Sequence, residues 1–215
     1  MHSINIQENR LMRNRRVTAG IASTTIARAP VTAVKAALAG VALLSICASG
    51  QAQAAGHFAV SSTNWQDGGE AAAAQVFNEG GCEGRNHSPQ LSWRNAPAGT
   101  RSFAVTVFDP DSPGRGWWHW AVADIPARVA TLPENASASG ALKKLGAIEA
   151  RNDFGGEGYG GPCPPPGKPH RYVVTVYALR VDKLALAPGR PGTMFEHEIE
   201  GATLGSATLT VTYGR

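Results

Sequence analysis

Three apolar runs in the second half of the chain predict β-strands, at positions 102–108, 118–125 and 171–179. Each run is rich in Val, Thr, Tyr, Phe or Trp and is bounded by Pro, Gly or Asp, as strands commonly are. Apolar residues occupy consecutive positions in all three runs, which indicates central strands that are covered on both faces. Segments 90–93 and 207–213 are weaker strand candidates, and the second alternates more clearly between apolar and polar residues.

Helical patterns are few in this sequence. Thr193 and Glu196 have the spacing of a capping box, with Thr193 at the N-cap and Glu196 at the N3 position. We expect this helix to continue to about Leu204 and to end at Gly205. A second, shorter helix is expected within residues 141–150. Many short strands, turns rich in Gly and Pro and few helices together predict a mainly β protein, a sandwich with one or two short helices, one of them near the C-terminus.

The first 54 residues differ in composition from the rest of the chain. A lead-in with six Lys or Arg residues and one acidic residue precedes an eleven-residue apolar run at 36–46, which is too short to span a bilayer. Small residues follow this run, and the segment 52–54 (Ala-Gln-Ala) fits the A-x-A rule for signal-peptide cleavage. The pattern predicts a signal peptide beginning at Met1 or Met12, and a single mature domain at 55–215 that is periplasmic or secreted. The alternative is that the apolar run is a buried helix of the domain.

Removal of residues 1–54 changes both the net charge and the cysteine count. The chain has 20 Lys and Arg and 16 Asp and Glu, so the mature part keeps 14 basic and 15 acidic residues, a net charge of −1. We therefore expect no nucleic-acid partner, and no integral membrane segment after removal of the signal. Cys82 and Cys163 are the cysteines that remain. A disulfide between them stays open, because a sequence does not show whether their Cα atoms come within bridging distance.

Two segments rich in Gly and Pro connect the predicted strands, at 109–114 and at 155–169. Such a composition excludes regular structure and favours rigid surface loops, which often carry binding sites. The first segment is a tight turn after an Asp-Pro-Asp sequence, so we predict a cis peptide bond between Ser112 and Pro113.

Polar residues whose side chains could bind a ligand or act in catalysis lie where the predicted strands begin or end. Asp109 ends the first strand, His119 lies near the start of the second, and His170 begins the third. If the first two strands are antiparallel and the third is parallel to the second, these three residues meet at one end of the sheet. The two-residue period of a strand then places Tyr172 on the face of His170, and Trp117 on the face of His119.

This set of side chains suits a small anion. Histidine side chains donate hydrogen bonds to phosphate or carboxylate oxygens, and Asp109 would hold one imidazole in its donor orientation. The glycines at 155, 156, 158, 160 and 161 are expected to leave backbone N–H groups free, and such groups can line an anion nest.

Four motifs occur in a fixed order: Asp109-Pro-Asp-Ser-Pro, Trp117-Trp-His-Trp, Gly160-Gly-Pro and His170-Arg-Tyr. Together they resemble the signature of the phosphatidylethanolamine-binding proteins, and most of all the bacterial Raf-kinase-inhibitor-like branch of YbhB/YbcL type. The resemblance covers about 86–213 and implies two packed antiparallel sheets. It also implies a phosphate-binding pocket lined by Asp109, His119, His170 and Tyr172, with walls shaped by Asp111, Pro113, Trp117, Gly161 and Pro162.

The resemblance is incomplete at two places. Trp118 stands where the mammalian pattern has a second histidine, and the loop between Gly160 and His170 is longer than its eukaryotic counterpart. For these reasons we carry no eukaryotic kinase partner over to this chain.

The sequence thus predicts a non-enzymatic protein that binds a small anion, such as phosphate, a phosphorylated headgroup or a carboxylate, and needs no cofactor. No serine has the G-x-S-x-G setting of an activated nucleophile. One alternative is a protease inhibitor or protein-interaction module that binds a protein partner through the loops at the pocket rim. Another is a metal-dependent enzyme with a site of two histidines and one aspartate. The physiological ligand and the oligomeric state, a homodimer included, stay open.

Overall fold

The strands of the described residues follow the predicted pattern closely. The structure is a computed structural model that describes residues 56–215, so the predicted signal segment and its cleavage site lie outside the described residues. The elements in chain order are β1 Ala59–Ser61, β2 Leu91–Arg94, β3 Ser102–Asp109, β4 Trp117–Pro126, β5 Thr131–Leu132, α1 Ala141–Leu145, β6 Ile148–Glu149, β7 His170–Leu179, α2 Gly192–Ala202 and β8 Thr203–Tyr213. All five strand candidates of the sequence are confirmed, with ends that differ by a few residues.

The strands form two antiparallel sheets, which confirms the predicted fold class. The small sheet has the order β1-β2-β5, and the large one the order β6-β4-β3-β7-β8. In the large sheet β3 is the central strand and pairs antiparallel with both β4 and β7. Consequently β4 and β7 run parallel to each other on either side of β3. The end of β3 and the starts of β4 and β7 therefore share one edge of the sheet, as the sequence predicted.

Both faces of the large sheet are covered, which explains why its central strands lack a polar face. Phe103 and Val105 of β3 lie in a core cluster that also contains Trp93 of the small sheet. Ala104, between them, lies in a second cluster with Phe195 of α2. Burial of an aromatic or aliphatic side chain of this kind stabilises the fold by about 1.5–3 kcal/mol. The two clusters hold the large sheet rigid beneath the loops at its edge.

The predicted start of helix α2 was wrong by two residues. Pro191 is the N-cap residue, and no side chain caps the helix. The backbone N–H groups of Met194 and Phe195 both donate to the Pro191 carbonyl oxygen. Thr193 thus lies inside the first turn, where its hydroxyl does not act as the cap of the predicted capping box.

The predicted helix ends were wrong as well. Helix α2 ends at Ala202, and Leu204 and Gly205 belong to β8, which follows without a loop because residues 203–213 pair with β7. Helix α1 stops after five residues at Gly146, which has a positive φ of 77°. In the remainder of the predicted helix, β6 pairs with β4. No helix within residues 56–215 is long and apolar enough to cross a membrane.

Candidate functional site

A cavity of about 320 Å³ opens at the edge of the large sheet where β3 ends and β4 and β7 begin. This volume falls at the lower end of the range that small-molecule sites occupy. Of the predicted site residues, five line the cavity: Asp109, Trp117, His119, His170 and Tyr172. The sequence missed the other five lining residues, which are Ser112, Phe154, Cys163, Pro164 and Pro165. Asp111, Pro113, Gly161 and Pro162 are not among the lining residues.

Asp109 and His170 form a buried hydrogen-bonded pair in the wall of this cavity. Oδ2 of Asp109 lies 2.7 Å from Nδ1 of His170, and their side chains are only 4% and 14% exposed. The carboxylate accepts the Nδ1 hydrogen, which fixes the orientation of the imidazole ring. Nε2, on the opposite side of the ring, is then free to contact a ligand.

The other oxygen of Asp109 shapes the turn that follows β3. Oδ1 accepts hydrogen bonds from the backbone N–H groups of Asp111, at 2.8 Å, and Ser112, at 3.1 Å. An aspartate side chain that accepts a hydrogen bond from the backbone N–H two residues ahead forms an Asx turn, which favours a reversal of the chain. The prediction of a cis bond before Pro113 was wrong, because the Ser112–Pro113 bond is trans.

Asp111 does not line the cavity and instead bonds to Arg171 beside it. Its two oxygens accept hydrogen bonds from the Arg171 guanidinium at 2.7 and 2.8 Å, and the backbone N–H of Arg171 adds a third at 2.9 Å. The Arg171 side chain holds the pKa of the Asp111 carboxyl well below its usual range. This pair ties the turn after β3 to the start of β7, although an exposed pair of this kind stabilises a fold by only about 1 kcal/mol or less.

His119 has a different environment from His170. Its ring is 2% exposed, and Nδ1 lies 2.7 Å from the carbonyl oxygen of Gly160. A carbonyl has no hydrogen to donate, so Nδ1 must carry the proton. Burial lowers the pKa of His119 to about 4, against the opposing effects of the Gly160 hydrogen bond and the Asp109 carboxylate. At neutral pH the His119 ring is therefore uncharged, with its proton on Nδ1.

Acidification is expected to destabilise the protein through His119. The unfolded chain binds a proton on this residue below a pH of about 6.5, whereas the folded ring does so only below about 4. The unfolded state therefore binds more protons in this window, and stability falls as the pH falls. Between pH 7 and pH 4.5 the free energy of unfolding should drop by roughly 2–3 kcal/mol from this residue alone.

Urea denaturation of the wild type and of His119→Gln at both pH values measures this contribution. Comparison with the variant cancels the contributions of the carboxylates. His87→Gln is the control, since His87 is partly exposed and contacts Glu134 outside the cavity. Equal pH dependence in the wild type and His119→Gln would contradict the assigned burial.

Two further polar groups at the cavity have no hydrogen-bond partner within the described residues. They are the hydroxyl of Tyr172 and Nε1 of Trp117, and both atoms are buried. Burial raises the pKa of Tyr172, and the Asp109 carboxylate adds to the effect, so the phenol stays protonated and can donate. A buried polar group without a partner costs about 1–3 kcal/mol. The Tyr172 and Trp117 donors are therefore candidates for contact with a ligand.

The glycine-rich loop does not form the predicted anion nest. The N–H groups of residues 155, 158 and 160 donate to backbone carbonyls, and those of residues 156 and 161 donate to Asn152 and Asn86 side-chain oxygens. Gly161 has a packing role instead, because a Cβ atom there would lie 2.2 Å from the Gln75 carbonyl oxygen. The N–H groups of the loop are thus paired within the fold and do not form a nest.

A disulfide bond holds the part of the cavity wall that Cys163, Pro164 and Pro165 form. Cys82 and Cys163 are bonded, with Cα atoms 6.0 Å apart and 81 positions apart in sequence. Arg215 supports the same wall, since Nε donates to the Pro164 carbonyl at 2.7 Å and Nη1 to the Gly81 carbonyl at 3.0 Å. These bonds fix the proline segment that lines the cavity. The pairing of the two cysteines, which the sequence left open, is settled by this structure.

Comparison with known proteins agrees with this fold. The sequence pattern of the family described as phosphatidylethanolamine-binding protein matches residues 61–214. The chain belongs to this family. It is 44% identical over 165 residues to the UPF0098 protein YbcL of Escherichia coli, a match that covers 75% of this chain and 90% of YbcL. The crystal structure of E. coli YbcL, described as a new member of the mammalian PEBP family, superposes with a TM-score of 0.71, and covers 74% of this chain and 98% of YbcL.

Two further relatives of this chain add to the comparison, one through the extent of the match and one through its name. The UPF0098 protein YbhB of E. coli is 40% identical over 153 residues, which are 71% of this chain and 97% of YbhB. The putative lipoprotein LppC of Mycobacterium tuberculosis is 37% identical over 133 residues, which are 61% of this chain and 62% of LppC. Family membership makes this chain a ligand-binding protein of the phosphatidylethanolamine-binding type.

Phe154 is the cavity residue that the sequence interpretation overlooked most clearly. Its ring stacks on Phe77, with centroids 4.2 Å apart, and meets Trp117 and His119 edge to face at 5.3 and 5.4 Å. Although it contacts these rings, Phe154 is 37% exposed. The sequence did offer a signal, since Phe154 stands alone at the start of a glycine-rich loop. An aromatic side chain in such a loop is not needed to pack a strand, so contact with the cavity could have been expected.

The metal-enzyme alternative finds no support in the described residues. Within residues 56–215 no three His, Cys, Asp or Glu side chains converge as ligands of a metal ion. Asp109, the carboxylate of the supposed site, has both oxygens occupied by His170 and by the turn after β3.

Proposed function

We propose that this protein binds a small oxyanion in the cavity beside Asp109, His119, His170 and Tyr172, without catalysing a reaction. The observation that carries the proposal is the buried contact of 2.7 Å between Asp109 and His170 in the wall of the cavity. A histidine that is oriented by a carboxylate presents its other nitrogen to the cavity. When protonated, that nitrogen is a strong donor to phosphate or carboxylate oxygens.

The distribution of charge and hydrogen-bond donors supports an anionic ligand of low charge. When His170 carries a proton on both nitrogens, the Asp109 carboxylate balances its charge, so Nε2 is a directed donor without a large excess of positive charge. The Tyr172 hydroxyl and the Trp117 Nε1 are further donors without a partner in the described residues. Aromatic rings and prolines form most of the remaining wall. They exclude water and strengthen each hydrogen bond to the ligand.

The surroundings of the histidines support binding without catalysis. An activated serine or threonine nucleophile has its hydroxyl within hydrogen-bond reach of a base. Among the residues that line the cavity, Ser112 is the serine, and none is a threonine. Its N–H bonds to Asp109, and no hydroxyl of Ser or Thr within residues 56–215 bonds to His119 or His170.

Calorimetric titration with inorganic phosphate and with phosphorylethanolamine tests the proposal. We expect the wild type to bind at least one of them, and His170→Ala to bind about tenfold to a hundredfold more weakly, as expected for loss of a charged hydrogen bond. His87→Ala is a matched control, because His87 also contacts a carboxylate, that of Glu134, but lies outside the cavity. The proposal fails if neither ligand binds the wild type, or if His170→Ala binds as tightly as His87→Ala.

We also propose that the protein works outside the cytoplasm, in the periplasm or as a secreted protein. Three observations support this location. The N-terminal 54 residues have the composition of a signal peptide. The disulfide between Cys82 and Cys163 is of a kind that persists in oxidising compartments. Finally, one relative is named a putative lipoprotein.

A further inference from the structure

The two cysteines of the disulfide differ in their exposure. Cys163 lines the cavity and is partly exposed, whereas Cys82 is only 6% exposed. Thiol–disulfide exchange begins when a thiolate attacks one sulfur of the bond, and access decides which sulfur is attacked. A small thiol that enters the cavity therefore meets Cys163 first. This asymmetry distinguishes the bond from a fully buried disulfide, in which neither sulfur can be reached.

The two segments that the disulfide joins are also held together by other contacts. The Phe77 N–H donates to the Pro162 carbonyl oxygen at 3.1 Å. The Arg215 guanidinium donates to the carbonyl oxygens of Pro164, at 2.7 Å, and Gly81, at 3.0 Å. These hydrogen bonds join the segment of one cysteine to that of the other. When the S–S bond opens, they keep the two sulfurs close enough to form it again, so exchange does not require unfolding.

We propose that the disulfide between Cys82 and Cys163 is a thiol-exchange site that opens in the folded protein, with a small-molecule thiol as its reaction partner. The inference goes beyond the proposed function, because it requires no anion in the cavity. The thiolate sulfur forms a bond to Sγ of Cys163, and the S–S bond of the protein breaks. Its electron pair leaves with Sγ of Cys82, which takes a proton from water. The thiol is then held on Cys163 as a mixed disulfide.

Such an exchange changes the cavity wall reversibly. The group carried by the thiol lies next to Pro164 and Pro165, which line the cavity beside Cys163. Attack by the Cys82 thiolate on the Cys163 sulfur releases the thiol and restores the wall. If a second thiol attacks the mixed disulfide instead, two thiols are oxidised to one disulfide, and the protein gains two electrons and two protons as the dithiol.

Reaction of the folded, oxidised wild type with reduced glutathione tests the proposal. Free thiols are first blocked with N-ethylmaleimide, and the excess is removed. The reaction is stopped with acid at short times, and mass spectrometry of the peptides locates the bound glutathione. We expect it on Cys163, with Cys82 as the free thiol. A tenfold higher glutathione concentration should raise the rate about tenfold, because exchange in the folded state is a bimolecular step.

Three results of this experiment would overturn the proposal. Glutathione found on Cys82 as often as on Cys163 would remove the asymmetry. A rate that does not rise with glutathione concentration would show that the bond is reached only after unfolding. Absence of any reaction while the protein stays folded would show that neither sulfur is accessible.

Two single substitutions provide a matched comparison. Within residues 55–215, Cys82→Ser leaves Cys163 as the thiol, and Cys163→Ser leaves Cys82. We expect Cys82→Ser to form a mixed disulfide with oxidised glutathione at least about tenfold faster than Cys163→Ser, because the reaction needs an accessible sulfur. Equal rates in the two folded variants would overturn the proposal, and if either variant does not fold, the wild-type mapping decides.

Discussion

Replacement of Asp109 by alanine is expected to lower the free energy of unfolding by about 3–5 kcal/mol, because each buried donor that loses its partner costs about 1–3 kcal/mol. The carboxylate accepts three hydrogen bonds, two from the turn after β3 and one from His170. Alanine leaves all three donors without their partner in a buried region. For a domain of this size the melting temperature should fall by roughly 6–20 °C, and phosphate binding should be lost because the His170 ring is no longer oriented.

Asp111→Ala is the matched control for this variant. Asp111 lies two positions away and also pairs with a basic residue, but its partner Arg171 is 57% exposed. Its removal should therefore cost about 1 kcal/mol or less. Thermal denaturation of both variants provides the measurement. If Asp109→Ala is no less stable than Asp111→Ala, the buried pair does not have the structural role described above.

The second large effect is expected from loss of the disulfide. Replacement of both Cys82 and Cys163 by serine opens a covalent loop of 81 positions. The gain in entropy of the unfolded chain predicts a loss of about 4–5 kcal/mol in the free energy of unfolding. The effect should extend to the cavity, because Cys163 and the two prolines after it form one wall. We therefore also expect weaker binding of phosphate.

Denaturant unfolding of the oxidised wild type, the reduced wild type and the double variant measures this contribution. The reduced wild type is the control for the substitutions, and it should unfold at nearly the same denaturant concentration as the double variant. If the oxidised wild type unfolds there too, the bridge contributes nothing to stability.

The sequence predicted the strands and the site correctly where the local residue pattern agrees with the overall fold. The strands β3, β4 and β7 are apolar on both faces because two clusters cover them, and this appears as uninterrupted apolar runs. Once β3 is antiparallel to both neighbours, its end must lie beside their starts. The meeting of Asp109, His119 and His170 at one cavity was predictable for that reason.

Features that depend on distant backbone atoms could not be predicted in the same way. The proton on His119 is placed by the carbonyl of Gly160, 41 positions away, and nothing near His119 in sequence reports that contact. The glycines of the loop were expected to offer free N–H groups, but partners such as Asn86 lie far away in sequence. The capping box at Thr193 failed because Pro191 begins the helix earlier. A local motif predicts a conformation only when the neighbouring residues do not favour a different, more stable conformation.

The most direct test of the central claim, that one small oxyanion contacts both cavity histidines, is NMR of the imidazole nitrogens during titration with inorganic phosphate. Residues 55–215 have five histidines, so His57, His87 and His197 serve as internal references. We predict that the Nε2 resonances of His119 and His170 shift together and saturate at one equivalent of ligand, while the three references stay unchanged. Saturable binding that leaves His119 and His170 unshifted would contradict the account.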